Sequence, residues 1–263
     1  MDVEEIENPD PSNVEDILHV AEEKSEKIKF WNELDKNIFK PGNTCIGCSP
    51  QIGLKLALQF FGDVILVCSE KCVPDMAKDI TVIVAKDPLT AASVLSAEKP
   101  VLCYADDKTI KESLCSFNPK GNFLCICWNN SKPLWKTAFA KNLPYVATAS
   151  IGYIEDYMSK LKKAKSVKGV RFIDLFAPCL LKKDFEPSDA VLLARIATNT
   201  GLWPVFEIYD NEFLLTQRPE LEPVEHYYSV QKTGISGDKI EAIKKRVERN
   251  WSLLAKKKFW AVD

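Results

Sequence analysis

The sequence predicts an α/β fold, a largely parallel sheet flanked by helices. Three observations carry that expectation. From Pro41 onward, short runs of β-branched and apolar residues alternate with helical stretches, the pattern of a chain that winds strand, helix, strand. At 263 residues with 46% hydrophobic content, the chain can bury a full core as one large domain with extensions. Its apolar stretches are all interrupted well before the roughly 18 residues that a membrane-spanning helix needs.

Taken in order, residues 1–38 form an N-terminal extension that is acidic at first and then helical in pattern. Val14, Ile17, Leu18 and Ala21 fall on one face, and Ser12 to Glu15 has the spacing of a capping box. The segment reads equally as a solvated tail or as a partner-binding helix. Residues 39–230 make up the α/β domain. An apolar helix is expected over Ile52 to Phe61. Strands are expected at Val64 to Cys68, Thr81 to Val84, Pro100 to Tyr104, Asn122 to Trp128, Tyr145 to Ala147 and Arg171 to Phe176, with helices between them. Residues 231–263 form a basic amphipathic helix. Over Asp238 to Lys258 it carries Ile240, Ile243, Val247, Trp251 and Leu254 on one stripe, a face suited to docking on its own domain or a sister subunit rather than on a membrane.

Charge and cysteine usage exclude several classes of function. A formal net charge of -2 leaves no electrostatic footprint for nucleic acid. Nine cysteines, an odd number with no signal peptide ahead of them, argue against a disulfide framework and for a reducing cytoplasm. No membrane partner is expected.

Four of those cysteines are candidate metal ligands. Cys45 and Cys48 form a Cys-x-x-Cys turn, Thr44-Cys45-Ile46-Gly47-Cys48, ahead of the first helix. Cys72 follows the strand-like run Val64 to Val67, and Cys179 follows the run Arg171 to Phe176 in Phe176-Ala177-Pro178-Cys179. A 4Fe-4S cluster needs four converging thiolates, and one Cys-x-x-Cys turn supplies two of them. The pair alone is also open to a zinc knuckle, a thioredoxin-like redox pair, or free thiols in a cysteine-rich chain. A structural zinc site usually shows two close Cys/His pairs. This chain has one such pair, and only His19 and His226.

The words around these cysteines resemble the beta subunit of pyruvate (2-oxoacid):ferredoxin oxidoreductases, the pyruvate synthase family, in a shortened and divergent form. The resemblance rests on Cys45-Ile46-Gly47-Cys48, Cys72 and Ala177-Pro178-Cys179. It rests also on the run Leu143 to Ser150, on Ala164-Lys165 with Lys168-Gly169, on Thr200 to Glu207 and on Pro223 to Tyr227. It implies a thiamine-diphosphate-binding-type fold, with Cys45, Cys48, Cys72 and Cys179 holding the 4Fe-4S cluster nearest the thiamine diphosphate. It further implies alpha-type and ferredoxin-like (delta/gamma-type) partner subunits and ferredoxin as electron acceptor. The activity implied is oxidative decarboxylation of a 2-oxoacid to an acyl-CoA.

The same resemblance points to a second cofactor site. In this family a Gly-Asp-Gly sequence after a strand, and an Asn some 30 residues further on, hold the magnesium that binds thiamine diphosphate. Here Ala105-Asp106-Asp107 and Trp128-Asn129-Asn130-Ser131-Lys132 stand at those places, so Asp106, Asn130 and Lys132 are the candidate magnesium and thiamine diphosphate contacts. Both flanking glycines are gone, and the loops after Cys72 and Asn130 are short. Asp107 would set a negative charge against an anionic ligand, with Lys108 as a partial offset, which predicts a weak or absent thiamine site. The bland reading of Asp106, Asp107 and Asn130 is a strand-end loop of ordinary turn residues.

Cys103, Cys125 and Cys127 lie on strand-like runs and are expected to be buried, unreactive thiols. Cys68 is a competing ligand to Cys72. Two functions follow: a beta-type subunit of the oxidoreductase complex, or a non-catalytic paralogue that has lost thiamine and keeps the cluster as an electron relay or structural staple.

Overall fold

The computed structural model describes residues 45–69, 80–182, 184–232 and 234–255. The extension expected over 1–38, Cys72, and the last residues of the basic C-terminal segment lie outside them.

All six expected strands are present, as β1 Ile65–Cys68, β2 Val82–Val84, β3 Val101–Asp106, β4 Phe123–Asn129, β5 Tyr145–Ser150 and β6 Arg171–Phe176. They pair in parallel in the order β2-β1-β3-β4-β6-β5. Parallel strands must be joined by crossovers, and from β2 to β6 the intervening helices provide these. The connecting helices are α1 Ser49–Phe61 ahead of β1, then α2 Pro88–Leu95, α3 Asp107–Ser116, α4 Trp135–Phe139 and α5 Ile154–Ser166. Strands β3 to β6 are buried along their whole length, as a sheet covered on both faces requires.

Two strands that the strand-helix alternation does not predict complete the sheet. After α6, Ala190–Asn199, the chain forms β7, Val205–Tyr209, and β8, Glu212–Gln217, which extend the β5 edge in antiparallel fashion. Asp210 and Asn211 both take positive φ, 52° and 60°, the pattern of a two-residue type I′ turn whose twist suits a hairpin. The chain then passes through α7, Glu225–Ser229, to α8, Gly237–Ala255. The α8 stripe docks on the chain's own domain. Val247 is buried, and the Trp251 indole donates to the Gly201 carbonyl at 2.9 Å. Lys244 pairs with Glu225 at 2.6 Å.

The core has two halves, one on each face of the sheet. On one face Val67, Cys103, Cys125, Cys127, Val146 and Phe172 pack under α2, α3 and α4. On the other, Leu54 and Leu56 of α1 and Tyr157 of α5 are fully buried. The Tyr157 hydroxyl donates to the Gly53 carbonyl at 3.1 Å, and the Tyr104 hydroxyl to the Pro50 carbonyl. These tyrosines fix the first turns of α1 above β3, and with them the turn that precedes the helix.

Candidate functional site

The carboxyl ends of β1, β3, β4 and β6 lie side by side on one edge of the parallel sheet. In open α/β sheets ligands bind in the crevices outside this edge. Both candidate constellations leave from it.

The cysteine loops come first. The Cys48 N–H donates to the Cys45 carbonyl at 3.2 Å, closing the turn, and Gly47 takes φ +69°. A Cβ there would lie 2.7 Å from the Pro187 carbonyl, so the turn needs glycine for both its backbone angle and its close approach. Ser49, the residue after Cys48, donates its hydroxyl to the carbonyl of Pro178, the residue before Cys179, at 2.5 Å. The Cys-x-x-Cys turn and the Cys179 loop are thereby fastened to each other, although they are far apart in sequence. Cys45 is exposed, Cys48 half-buried and Cys179 buried. Among the described residues no group of three His, Cys, Asp or Glu side chains is gathered to hold a metal. Soft thiols on two loops fastened at their bases suit an iron-sulfur group. The fourth cysteine expected there, Cys72, lies outside the described residues.

Cys68, the competing ligand, is buried at the end of β1. Burial, and then the neighbouring Cys103, push its thiol up to about 12, so it stays protonated at neutral pH. Cys103, Cys125 and Cys127 are fully buried, as expected. Burial likewise raises Cys127 well above the ordinary thiol range, with Asp174, Asp107 and Asp106 adding to the effect. Such thiols are inert.

The carboxylates are differently placed. Asp106 ends β3 and caps α3. Its carboxylate accepts from the Thr109 N–H at 3.3 Å, from the Thr109 hydroxyl at 2.6 Å and from the Ser69 hydroxyl at 3.0 Å. Asp107 is also buried. It pairs with the Lys182 ammonium at 2.7 Å and accepts from the Ser131 hydroxyl at 2.5 Å. Lys108, the expected offset to Asp107, is exposed. The offset comes instead from Lys182, on the loop after β6, whose ammonium also lies 5.6 Å from the centre of the Trp128 ring.

Asn129 ties the next loop down. Its Nδ2 donates to Asp174 at 2.9 Å and to the Lys132 carbonyl at 3.0 Å, while its Oδ1 accepts from the Ser131 N–H at 2.8 Å. Asp174, fully buried in β6, also accepts from the Leu134 and Trp135 amides and so anchors α4. Burial outweighs these donors and raises its carboxyl to about 7. Asn130 is buried, and its Nδ2 finds no partner. The Lys132 side chain is exposed. It lines a cavity of about 350 Å³ against α8, together with Trp135, Lys136 and Arg246.

These residues do not fit magnesium and thiamine diphosphate. The Asp106 carboxylate is committed to a helix cap and to Ser69. The space a second glycine would leave open is filled by Asp107 and its bonds to Lys182 and Ser131. Of the residues that hold this region, Asp106 and Thr109 have a legible signal, the N-cap spacing Asp-x-x-Thr. Lys182 and Ser131 have none, because only folding brings them to Asp107.

No family model matches the chain. It is 30% identical over 258 residues to pyruvate synthase subunit PorB of Methanothermobacter marburgensis, covering 75% of this chain and 90% of that one. It is also 30% identical, with the same coverage, to the subunit of that name from Methanothermobacter thermautotrophicus. Ketoisovalerate oxidoreductase subunit VorB of Pyrococcus horikoshii is 32% identical over 132 residues, covering 48% of this chain and 42% of that one. A solved structure of 2-oxoglutarate:ferredoxin oxidoreductase from Magnetococcus marinus aligns with a TM-score of 0.48 at 14% identity, covering 78% of this chain and 94% of that one. The extended match to PorB defines the class: an oxidoreductase subunit with an α/β fold. The chain belongs to the family of pyruvate synthase subunit PorB, the beta subunit of 2-oxoacid:ferredoxin oxidoreductases.

Proposed function

We propose that this chain is the iron-sulfur subunit of a 2-oxoacid:ferredoxin oxidoreductase complex in the cytoplasm, and that its own thiamine site is not used. Cys45, Cys48, Cys72 and Cys179 would hold a 4Fe-4S cluster, which when bound supplies one-electron transfer. The chain's own residues prepare the place for it. Gly47 sets the turn that presents Cys45 and Cys48, Ser49 holds the Cys179 loop against that turn, and Tyr104 fixes the helix behind both. The observation that carries the reading is the Ser49 to Pro178 hydrogen bond, which joins the two cysteine loops at the ligand-binding edge of the sheet. Alpha-type and ferredoxin-like subunits, with ferredoxin as acceptor, are the partners in this reading. Substrate oxidation to the acyl-CoA takes place elsewhere in that complex.

The test is cofactor content after purification without oxygen. The expected result is about four iron and four sulfide per chain, with no stoichiometric thiamine. Stoichiometric zinc without iron or sulfide would overturn the reading in favour of a structural zinc site. A second reading, a conventional catalytic beta subunit, is favoured by one observation: Asp106 ends β3, Asn130 directly follows the adjacent strand β4, and the Asn130 amide nitrogen is buried without a partner. Tight magnesium-dependent binding of thiamine diphosphate, lost in Asp106→Ala or Asn130→Ala, would establish it.

A further inference from the structure

The region that fails to fit magnesium and a diphosphate is not a simple loss of a site. Its residues make a continuous set of bonds across three loops: Ser131 to Asp107, Asp107 to Lys182, and Lys182 over Trp128. The Lys182 side chain is about one-third exposed while that of Asp107 is almost wholly covered, so the ammonium reaches inward from the rim to a buried carboxylate. A carboxylate placed there without a cation would be strongly disfavoured. One positive charge is therefore supplied where a metal-binding site would take two from solution.

Lys182 has a second connection. Its N–H donates to the carbonyl of Cys179 at 3.0 Å, so Lys182 closes the turn that carries that cysteine. The Cys179 loop is thus held at two points, by Ser49 through the Pro178 carbonyl and by Asp107 through the Lys182 ammonium. One bond ties it to the Cys-x-x-Cys turn, the other to the end of β3.

We propose that Lys182 is the built-in cation of the Asp107 site: it keeps a divalent metal and its diphosphate out, and it positions the loop that bears Cys179. The first role stands on the ion pair alone. The second rests on the reading of Cys179 as a cluster ligand.

The two roles are separated by experiment on the full chain. Manganese serves as a probe for a divalent site, titrated into anaerobically purified protein and followed by its electron paramagnetic resonance signal. Wild type should show no saturable manganese site. Lys182→Met, which keeps an unbranched side chain one atom shorter and removes its charge, should create one at least tenfold tighter than any wild-type binding. Adding Asp107→Asn should abolish that site, and Lys182→Arg should keep it closed. A wild-type manganese site unaffected by Lys182→Met, or no gain in that variant, would overturn the first role. For the second, Lys182→Met should alter the resonance spectrum or midpoint potential of the reduced cluster, and Lys182→Arg should restore it. An unchanged signal in Lys182→Met would overturn the positioning role. If the protein holds no iron, the iron-sulfur reading and the positioning role fall together, while the manganese titration still decides the first role.

Discussion

The cysteine loops and the carboxylate loops leave the same edge of one sheet, yet their donor atoms are in opposite states. Cys45 is exposed and unbonded, its turn held by backbone and glycine geometry while the sulfur stays available. Asp106 and Asp107 are buried, and their oxygens are engaged by Ser69, Thr109, Ser131 and Lys182. The difference teaches that a residue in a motif position becomes a ligand only if the fold leaves its lone pairs unclaimed. In one region bonds from neighbouring residues hold the donors in place, and in the other they consume the donors.

The comparison can be broken most sharply at Cys179. Cys179→Ser should take iron from about four per chain to below one, whereas Cys125→Ser, on a buried strand, should leave it unchanged. Equal loss in both variants would mean that the loops are not the site.

The next largest effect belongs to the carboxylate region, through Asp174. Its folded value of about 7 lies above the ordinary 3.8 because burial disfavours its charge. For an acid raised in this way, the stabilising contribution is complete below about pH 4 and is lost as pH rises to about 7. Relative to Asp174→Asn, which cannot titrate, wild type should lose roughly 3–5 kcal/mol of unfolding free energy across that window. Denaturant titrations at several pH values measure it, and a difference independent of pH would refute it.

Smaller still is the effect of cutting the clasp between the cysteine loops. Ser49→Ala leaves every thiol in place but frees the Pro178 carbonyl, costing about 1 kcal/mol of stability. Iron should be lost faster to a chelator than from wild type, while initial content stays near normal. No change in the rate would remove the clasp from the account.

The smallest prediction is a control far from both regions. Asn211→Gly suits the φ of +60° in the hairpin turn and should stabilise by a few tenths of a kcal/mol without touching iron content. Denaturant midpoints would detect it.

The parallel half of the fold was legible because each strand is a short apolar run between helical segments, and nothing local contradicts that pattern. The β7 to β8 hairpin was not found by alternation, although Asp210-Asn211 between two apolar runs is a turn signal that could have found it. At the site, the cysteine turn and the Ala177-Pro178-Cys179 loop could be picked out because their residues are contiguous words. The state of Asp107 could not. Its partner Lys182 sits on another loop, and its charge balance is a property of the folded edge rather than of any segment. Lys108, adjacent in sequence, was the natural candidate, but it lies in the first turn of α3 and faces solvent.

Gly47 carries one more consequence. Its neighbour across the fold is the short 3-10 turn Pro187–Asp189, whose Pro187 carbonyl stands where a methyl group would be. The turn between Cys45 and Cys48 is thus hemmed in by the backbone of a segment far along the chain, which contributes no donor of its own. A lineage could preserve every cysteine and still disturb this turn through a single change at position 47. In such a relative, a count of thiols would mislead, and the residue at position 47 would tell whether the turn keeps its shape.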